Sequence, residues 1–191
     1  MDNAIILAGG FGTRLRSVVS DRPKALAEVS GKPFIEYQLE WLLKQGVKQV
    51  TIATHYMADQ LQEFVNQWQE KGLVLDTVYE DEPLGTGGAV ANVINKKEII
   101  GKVLVINGDT LFNFSLKPVI KYMKNRKESV VLVASRLSDV HRFGTIIVEN
   151  GYVKSFQQAT GKHEAGIVNG GAYIVESDLF REKIEPFSLE Y

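Results

Sequence analysis

The sequence predicts an α/β fold, a Rossmann-like three-layer αβα sandwich with a mostly parallel central sheet. Short apolar runs that suit strands alternate with amphipathic segments that suit helices, which is typical of a parallel sheet wrapped by helices. The chain begins on such a run, residues 4–8, too short for a buried helix and apolar enough for a strand covered on both faces. Its 191 residues suffice for a substantial core, and we predict one domain over residues 1–191.

The first half of the chain predicts a β-α-β-α-β unit. Its first helix is opened by Pro33 and ended by Gly46, and its second amphipathic helix is closed by Gly72. Crossovers in such units are right-handed, and ligands lie beyond the carboxyl ends of the strands. The predicted strands are residues 4–8, 47–54 and 73–79, and the predicted helices lie between residues 31 and 46 and between residues 57 and 72.

The second half of the chain predicts five strands and three helices, the first of which follows a glycine-rich segment. Asn150-Gly151 joins two apolar runs, which is a strong indication of a β-hairpin. The predicted strands are residues 102–106, 129–135, 145–149, 152–156 and 167–175, and the predicted helices are residues 89–95, 117–127 and 177–184.

The composition excludes several classes of function. A net charge of -1 gives no basic footprint for nucleic acid, and the lack of cysteine excludes disulfides, thiolate metal sites and a cysteine nucleophile. Neither a leader nor a long apolar segment indicates secretion or a membrane, so we expect a cytoplasmic protein. His55, His141 and His163 lack metal-ligand spacing and are interpreted as structural or solvated. The oligomeric state, a homo-oligomer included, is left open.

The loop after the first strand has the composition of a phosphate-binding loop. Gly9, Gly10 and Gly12 let backbone amides approach an anion, and Arg14 adds a guanidinium suited to phosphate oxygens. A Walker loop would need Gly-Lys-Ser/Thr, and a dinucleotide fingerprint would need a glycine where Leu15 stands. We therefore predict a loop that binds a nucleoside triphosphate; the alternative is a glycine-rich turn with an exposed arginine.

Two further charged residues are expected beside this loop. Lys24 follows Pro23, whose fixed φ helps to aim its neighbours, and we predict a second phosphate cation facing Arg14 rather than a solvated lysine. Asp109 comes directly after the strand at 102–106, where a carboxylate could hold Mg²⁺ against triphosphate oxygens. The alternative is an ordinary Asn-Gly-Asp turn.

A second glycine-rich segment, residues 80–88, follows the third strand. Pro83 stops that strand, and glycines then lead into a helix. Such a helix start offers free amides and a narrow surface, against which a purine or pyrimidine could lie. The alternative is a flexible loop before a helix.

These segments together resemble the sugar-1-phosphate nucleotidylyltransferases. Residues 9–15, GGFGTRL, followed by residues 22–26, RPKAL, are similar to the signature of that family, and the similarity extends over nearly the whole chain. The resemblance implies the nucleotide-diphospho-sugar transferase fold and nucleotidyl transfer from a nucleoside triphosphate to a sugar 1-phosphate, without nucleic acid or membrane partners. It implies that Arg14, Lys24 and Asp109 are catalytic and that Asp109 binds the metal cofactor, Mg²⁺.

The resemblance also implies ligand contacts. The implied nucleotide-binding residues are Leu7, Ala8, Gly9, Gly10, Gly12, Thr13, Gly85, Thr86, Gly87, Asn107 and Gly108, and the implied sugar-binding residues are Gly144, Gln158, Asn169 and Gly170. The sequence departs from the family near Gln158, where many relatives carry a Glu-Lys pair; Lys162 is a weak substitute. Similar proteins continue through another strand that supplies a second metal aspartate, so we expect either a missing C-terminal segment or a different metal site.

Substrate choice is inferred from a local variant of the signature. Residues 14–19, RLRSVV, lack the proline that many relatives have after Arg-Leu, and this variant resembles the D-glycero-D-manno-heptose 1-phosphate guanylyltransferases. GTP and the heptose 1-phosphate are therefore expected. The alternatives are a mannose-1-phosphate guanylyltransferase, a uridylyltransferase on another sugar 1-phosphate, and a non-catalytic nucleotide-sugar-binding domain. The missing Glu-Lys pair favours the binding domain, whereas the presence of Arg14, Lys24 and Asp109 argues against it.

Overall fold

The computed structural model describes residues 1–10, 21–68, 72–124, 127–182 and 185–190. Its strands are β1 (Asn3–Leu7), β2 (Glu28–Val29), β3 (Lys32–Pro33), β4 (Gln49–Thr54), β5 (Val74–Tyr79), β6 (Lys102–Asn107), β7 (Val130–Leu137), β8 (Thr145–Glu149), β9 (Tyr152–Gln157) and β10 (Gly166–Glu176). Its α-helices are α1 (Phe34–Lys44), α2 (Ala58–Gln67), α3 (Gly85–Lys96) and α4 (Leu116–Lys124), and 3₁₀ turns cover Lys24–Leu26 and Ser177–Phe180.

Eight of the described strands form one mixed sheet. Its order is β5-β4-β1-β6-β10-β8-β9, and β7 also pairs with β10. Neighbouring strands from β5 to β6 are parallel, whereas β10 runs antiparallel to β6, β7 and β8. The carboxyl ends of β1, β4 and β6 therefore meet at one edge, where Leu7 stands beside Ala53 on one side and Asn107 on the other.

Apolar side chains cover both faces of the sheet and create the three layers. In β1, Ala4 and Ile6 face the layer of α1, α2 and α4, whereas Ile5 faces α3. All three are at most 1% exposed. Burying an isoleucine side chain contributes about 1.5–3 kcal/mol, so this alternation fixes the position of β1 in the sheet. The predicted three-layer α/β fold is confirmed.

Two local predictions differ from the structure, and one element was not predicted. Helix α3 begins at Gly85 rather than at residue 89, so the glycines lie inside its first turn. The helix predicted at residues 177–184 is wrong in its described part, because the turn ends at Phe180, Arg181 is extended and Glu182 has a φ of 60°. The hairpin of β2 and β3 was not predicted; Ser30 and Gly31 both have positive φ, as a two-residue hairpin turn requires.

Among the described helices, none combines the length and the apolar character that crossing a bilayer requires. The longest of them, α3, has 12 residues, whereas a membrane-spanning helix needs about 20.

Candidate active site

A cavity of about 330 Å³ lies at the edge where the parallel strands end. The ends of β1, β4 and β6 and the first turn of α3 form its walls. Ten of the predicted site residues line it, together with Ala25, Ala53, Glu80, Pro83, Leu84 and Ala89. Those ten are Leu7, Ala8, Gly9, Gly10, Lys24, Gly85, Thr86, Asn107, Gly108 and Asp109.

Lys24 and Asp109 both line this cavity and form an ion pair. The Lys24 Nζ lies 3.3 Å from Asp109 Oδ2, although 85 residues separate them in the chain. The Lys24 side chain is 26% exposed and that of Asp109 is 49% exposed, so a ligand could reach both. The sequence predicted a common cleft for Arg14, Lys24 and Asp109, and the structure places the last two side by side. Their catalytic roles stay predictions. The third, Arg14, lies outside the described residues, as do Gly12 and Thr13.

A side chain of α1 forms hydrogen bonds with the loop that carries Asp109. The fully buried Gln38 donates hydrogen bonds from Nε2 to the carbonyl oxygens of Asn107 and Thr110, each at 2.8 Å. Gly108 donates from its amide to the Leu7 carbonyl at 2.9 Å, and a Cβ there would lie 2.7 Å from the same oxygen. Only glycine allows this approach, so the residues that follow β6 lie against the end of β1.

Glu80 is a site residue that the sequence did not reveal. It follows β5, lines the cavity and is 4% exposed. Its Oε2 accepts a hydrogen bond from the Leu84 amide at 3.4 Å, whereas Oε1 is buried without a partner among the described residues. Burial raises the pKa of Glu80, and the Leu84 amide together with the charges of His55 and Lys96 offsets part of that rise. A buried carboxylate with a spare oxygen is a strong acceptor for donors on a ligand.

The amides at the start of α3 are used by the chain itself. The Phe187 carbonyl accepts hydrogen bonds from the amides of Gly87 at 2.9 Å and Gly88 at 3.2 Å, and Thr86 Oγ1 accepts from the Leu189 amide at 2.8 Å. A Cβ at Gly87 would overlap the Phe187 ring. Gly87 does not line the cavity but accommodates residues 185–190, so a contact between Gly87 and a base stays a prediction. Gly85 and Thr86 remain at the cavity wall.

The four predicted sugar-binding residues lie outside the cavity lining. Cβ atoms at Gly144 and Gly170 would lie 2.7 Å from the Gln157 carbonyl and 2.8 Å from the Val133 carbonyl, so close backbone packing already requires glycine at both positions. Gln158 is exposed after β9. Their contacts with a sugar stay predictions.

Asn169, the fourth of these residues, belongs to a side-chain network. Its Nδ2 donates to Tyr173 Oη at 2.6 Å and to Glu190 Oε1 at 2.8 Å, and its Oδ1 accepts from the Gly171 amide at 2.8 Å. The Tyr173 hydroxyl donates to Glu190 Oε1 at 2.7 Å. Burial and the neighbouring Glu190 raise the pKa of Tyr173, against a smaller lowering by Asn169.

The convergence of Gly9, Gly10, Lys24 and Asp109 agrees with comparisons to known proteins. Residues 3–190 match the family described as Nucleotidyl transferase. The chain belongs to the nucleotidyl transferase family. The family assignment confirms the class of enzyme that the sequence motifs predict.

Individual members of the nucleotidyl transferase family are similar over most of their length. The D-glycero-alpha-D-manno-heptose 1-phosphate guanylyltransferase of Campylobacter jejuni is 37% identical over 190 residues, which cover 98% of this chain and 82% of that relative. The protein of the same name from Aneurinibacillus thermoaerophilus is 38% identical over 189 residues, which cover 98% of this chain and 81% of that relative. The crystal structure of HddC from Yersinia pseudotuberculosis complexed with GMP-PN is similar with a TM-score of 0.88 and 35% identity, covering 100% of this chain and 84% of that chain.

Proposed function

We propose that the chain transfers a guanylyl group from GTP to a sugar 1-phosphate, with D-glycero-α-D-manno-heptose 1-phosphate as the preferred acceptor. An oxygen of the sugar phosphate attacks the α-phosphorus of GTP, the bond to the β-phosphate breaks, and pyrophosphate leaves. The observation that carries the choice of nucleotide is the buried Glu80 carboxylate in the cavity wall. The heptose follows from the two relatives of that name.

The Glu80 carboxylate selects guanine through its hydrogen-bonding pattern. An ionised carboxylate only accepts hydrogen bonds. Guanine presents two adjacent donors, N1–H and the N2 amino group, whereas adenine and cytosine place an acceptor beside their amino group and uracil flanks its single N–H with carbonyls. Oε2 is oriented by the Leu84 amide and Oε1 has no partner among the described residues. Guanine would therefore satisfy a buried group whose unpaired state costs about 1–3 kcal/mol.

The charged groups of the cavity are suited to bringing two anions together. Lys24 needs only to turn from Asp109 to a phosphate oxygen, and Arg14 keeps its predicted role as a second phosphate cation. Asn107 ends β6, and Asp109 follows two residues later. The side-chain oxygen of Asn107 and the carboxylate of Asp109 are the kind of oxygen ligands that Mg²⁺ prefers. Bound at Asp109, Mg²⁺ would neutralise triphosphate charge. The protein itself supplies alignment and fixed positive charge, and the anionic acceptor needs no strong base.

A substrate panel tests the reaction. The protein is incubated with Mg²⁺ and each of GTP, ATP, UTP and CTP, paired with the heptose 1-phosphate or with mannose 1-phosphate, and pyrophosphate release is measured. GTP with the heptose 1-phosphate is expected to react fastest. Faster release with UTP would reject the role given to Glu80. Release with no pair would reject catalysis and favour a binding domain.

Glu80→Gln tests the choice of base separately. The variant loses one acceptor, and a hydrogen bond to a charged group is worth about 1.5–3 kcal/mol, so kcat/KM for GTP should fall by about 10- to 100-fold. Inosine triphosphate, which lacks the N2 amino group, should be a poor substrate of the parent and should lose less in the variant. Glu82→Gln, which changes an exposed carboxylate in the same loop, is the matched control. An equal loss for both nucleotides would contradict the proposed contact.

A further inference from the structure

A second cluster of polar side chains lies away from the cavity. Asp139 and His141 belong to the connection between β7 and β8, and His163 belongs to the connection between β9 and β10. None of the three lines the cavity. The two histidines are 22 residues apart, a spacing that does not indicate a metal site. The sequence analysis therefore interpreted them as structural or solvated, and it did not predict that the fold brings them together.

The backbone brings the two connections together independently of these side chains. The Val140 amide donates to the Glu164 carbonyl at 2.9 Å, directly between Asp139 and His141 in the chain. The hairpin of β8 and β9 returns the second connection beside the first, with Thr145 opposite Gln157. The cluster therefore sits on a framework that is already fixed, which lowers the entropic cost of assembling ligands.

One carboxylate engages both imidazoles. Asp139 Oδ2 lies 2.8 Å from His163 Nδ1, and Oδ1 lies 3.2 Å from His141 Nδ1 and accepts from the His141 amide at 3.0 Å. The imidazole rings are stacked, with centroids 4.4 Å apart. These hydrogen bonds lower the pKa of Asp139, so the carboxylate is ionised at neutral pH. One carboxylate therefore contacts two stacked imidazole rings, which places three potential metal ligands side by side.

The spacing and type of the donor atoms match a metal centre. One donor atom from each residue lies within 4.8 Å of the other two. Two ligands of one ion with bonds of about 2.1 Å are at most about 4.2 Å apart, so small rotations of these side chains would bring the donor atoms to metal-binding distance. Two imidazole nitrogens and a carboxylate suit Zn²⁺ and neighbouring transition ions, whereas Mg²⁺ and Ca²⁺ prefer oxygen alone. The side chain of His163 is 74% exposed, so an ion can reach the cluster from solvent.

We propose that Asp139, His141 and His163 form a binding site for a divalent transition-metal ion of the Zn²⁺ class, separate from the Mg²⁺ site expected at Asp109. The ion would connect the two loops at a point three residues before Gly144 and five residues after Gln158. Three protein ligands leave a coordination position for water. The inference does not depend on the proposed reaction, because its ligands lie on other elements.

A Co²⁺ titration in excess Mg²⁺ tests the site, since Mg²⁺ saturates carboxylate-only positions and Co²⁺ bound by nitrogen gives visible absorption bands. The protein should bind one equivalent, Zn²⁺ should displace it, and the dialysed Zn²⁺ form should contain one metal ion per chain by elemental analysis. Absence of absorption bands and of retained Zn²⁺ would overturn the proposal.

Two substitutions test the ligands, and two further substitutions serve as controls. His141→Gln and His163→Gln should each weaken Zn²⁺ binding by about tenfold or more, since each removes one of three ligands. His55→Gln is the control matched for loss of one imidazole, and Asp109→Asn is the control for the other carboxylate site; both should bind Zn²⁺ as the parent does. Thermal unfolding without metal checks that the variants fold. Unchanged binding in both ligand variants, or loss in His55→Gln, would contradict the assignment.

Discussion

The predicted ligand residues line a cavity in the parallel half of the sheet, whereas in the antiparallel half they pack against the chain itself. In the parallel half, Lys24 and Asp109 meet at one cavity, together with the glycines that follow β1. In the antiparallel half, Gly170 packs against a backbone carbonyl, and Asn169 is bound by Tyr173 and Glu190. Parallel strands all end at the same edge, so topology alone gathers the residues that follow them. Antiparallel strands end at both edges, and there the role of a residue depends on its local register.

The largest expected effect tests the parallel half. Lys24→Ala should lower kcat/KM for the proposed reaction by about 10²- to 10³-fold, equivalent to about 2.7–4 kcal/mol, because a fixed charge beside the reacting phosphates is lost. Steady-state pyrophosphate release measures it. Lys117→Ala, on the exposed face of α4, is the control and should match the parent. A Lys24→Ala rate within about threefold of the parent would break the comparison, because the cavity would then not be where the chemistry occurs.

The parallel half could be predicted from the sequence because its strands are recognised from short stretches of neighbouring residues. Apolar runs locate β1 and β6, and the order of elements places Gly9 and Asp109 at neighbouring strand ends. Glu80 was missed for a physical reason, since Asp81 and Glu82 are acidic as well and only burial distinguishes the three. Pattern alone therefore located the segment but not the side chain that we propose to contact the base.

Long-range packing accounts for the remaining differences. Phe187 meets Gly87 across 100 residues of sequence, and its carbonyl takes the amides that were expected to face a ligand. The β-bulge between Asn169 and Ala172 changes register within β10, and an Asn-Gly-Gly sequence does not predict where a bulge falls. Such contacts depend on tertiary structure, so no local pattern could identify them.

Glycine substitutions sharpen the comparison between the halves. Gly170→Ala should lower the free energy of unfolding by about 1–3 kcal/mol without any ligand, because its Cβ would crowd the Val133 carbonyl. Gly10→Ala should change stability by less than about 0.5 kcal/mol, since no atom of the described residues lies within 4 Å of its Cβ position. Urea unfolding of the ligand-free proteins measures both. If Gly170→Ala were as stable as the parent, glycine there would need a ligand-based explanation after all.

The network around Asn169 provides a smaller test. Tyr173→Phe should lower the free energy of unfolding by about 1 kcal/mol, because it removes the buried hydroxyl that donates to Glu190 and accepts from Asn169. Tyr152→Phe removes an exposed hydroxyl that donates to Glu128 at 2.9 Å, and it should have little effect. Equal effects in the two variants would mean that the network does not stabilise the antiparallel half.

The smallest expected effect is the pH dependence contributed by Glu80. Burial raises the pKa of Glu80 in the folded chain above its ordinary value of 4.5, so above pH 4.5 the folded state binds more protons at this group than the unfolded state does. The free energy of unfolding therefore contains a contribution that is fully present below pH 4.5 and is lost as the pH rises through the folded pKa.

Urea unfolding of the parent and of Glu80→Gln at several pH values isolates this contribution, because every other titrating group is common to both. The parent should lose stability relative to the variant as the pH rises, and saturating GTP should reverse that trend, because the guanine donors favour the ionised carboxylate. A parent-minus-variant difference that is flat with pH would show that the carboxylate is solvated, and the cavity would then lack the feature that distinguishes guanine.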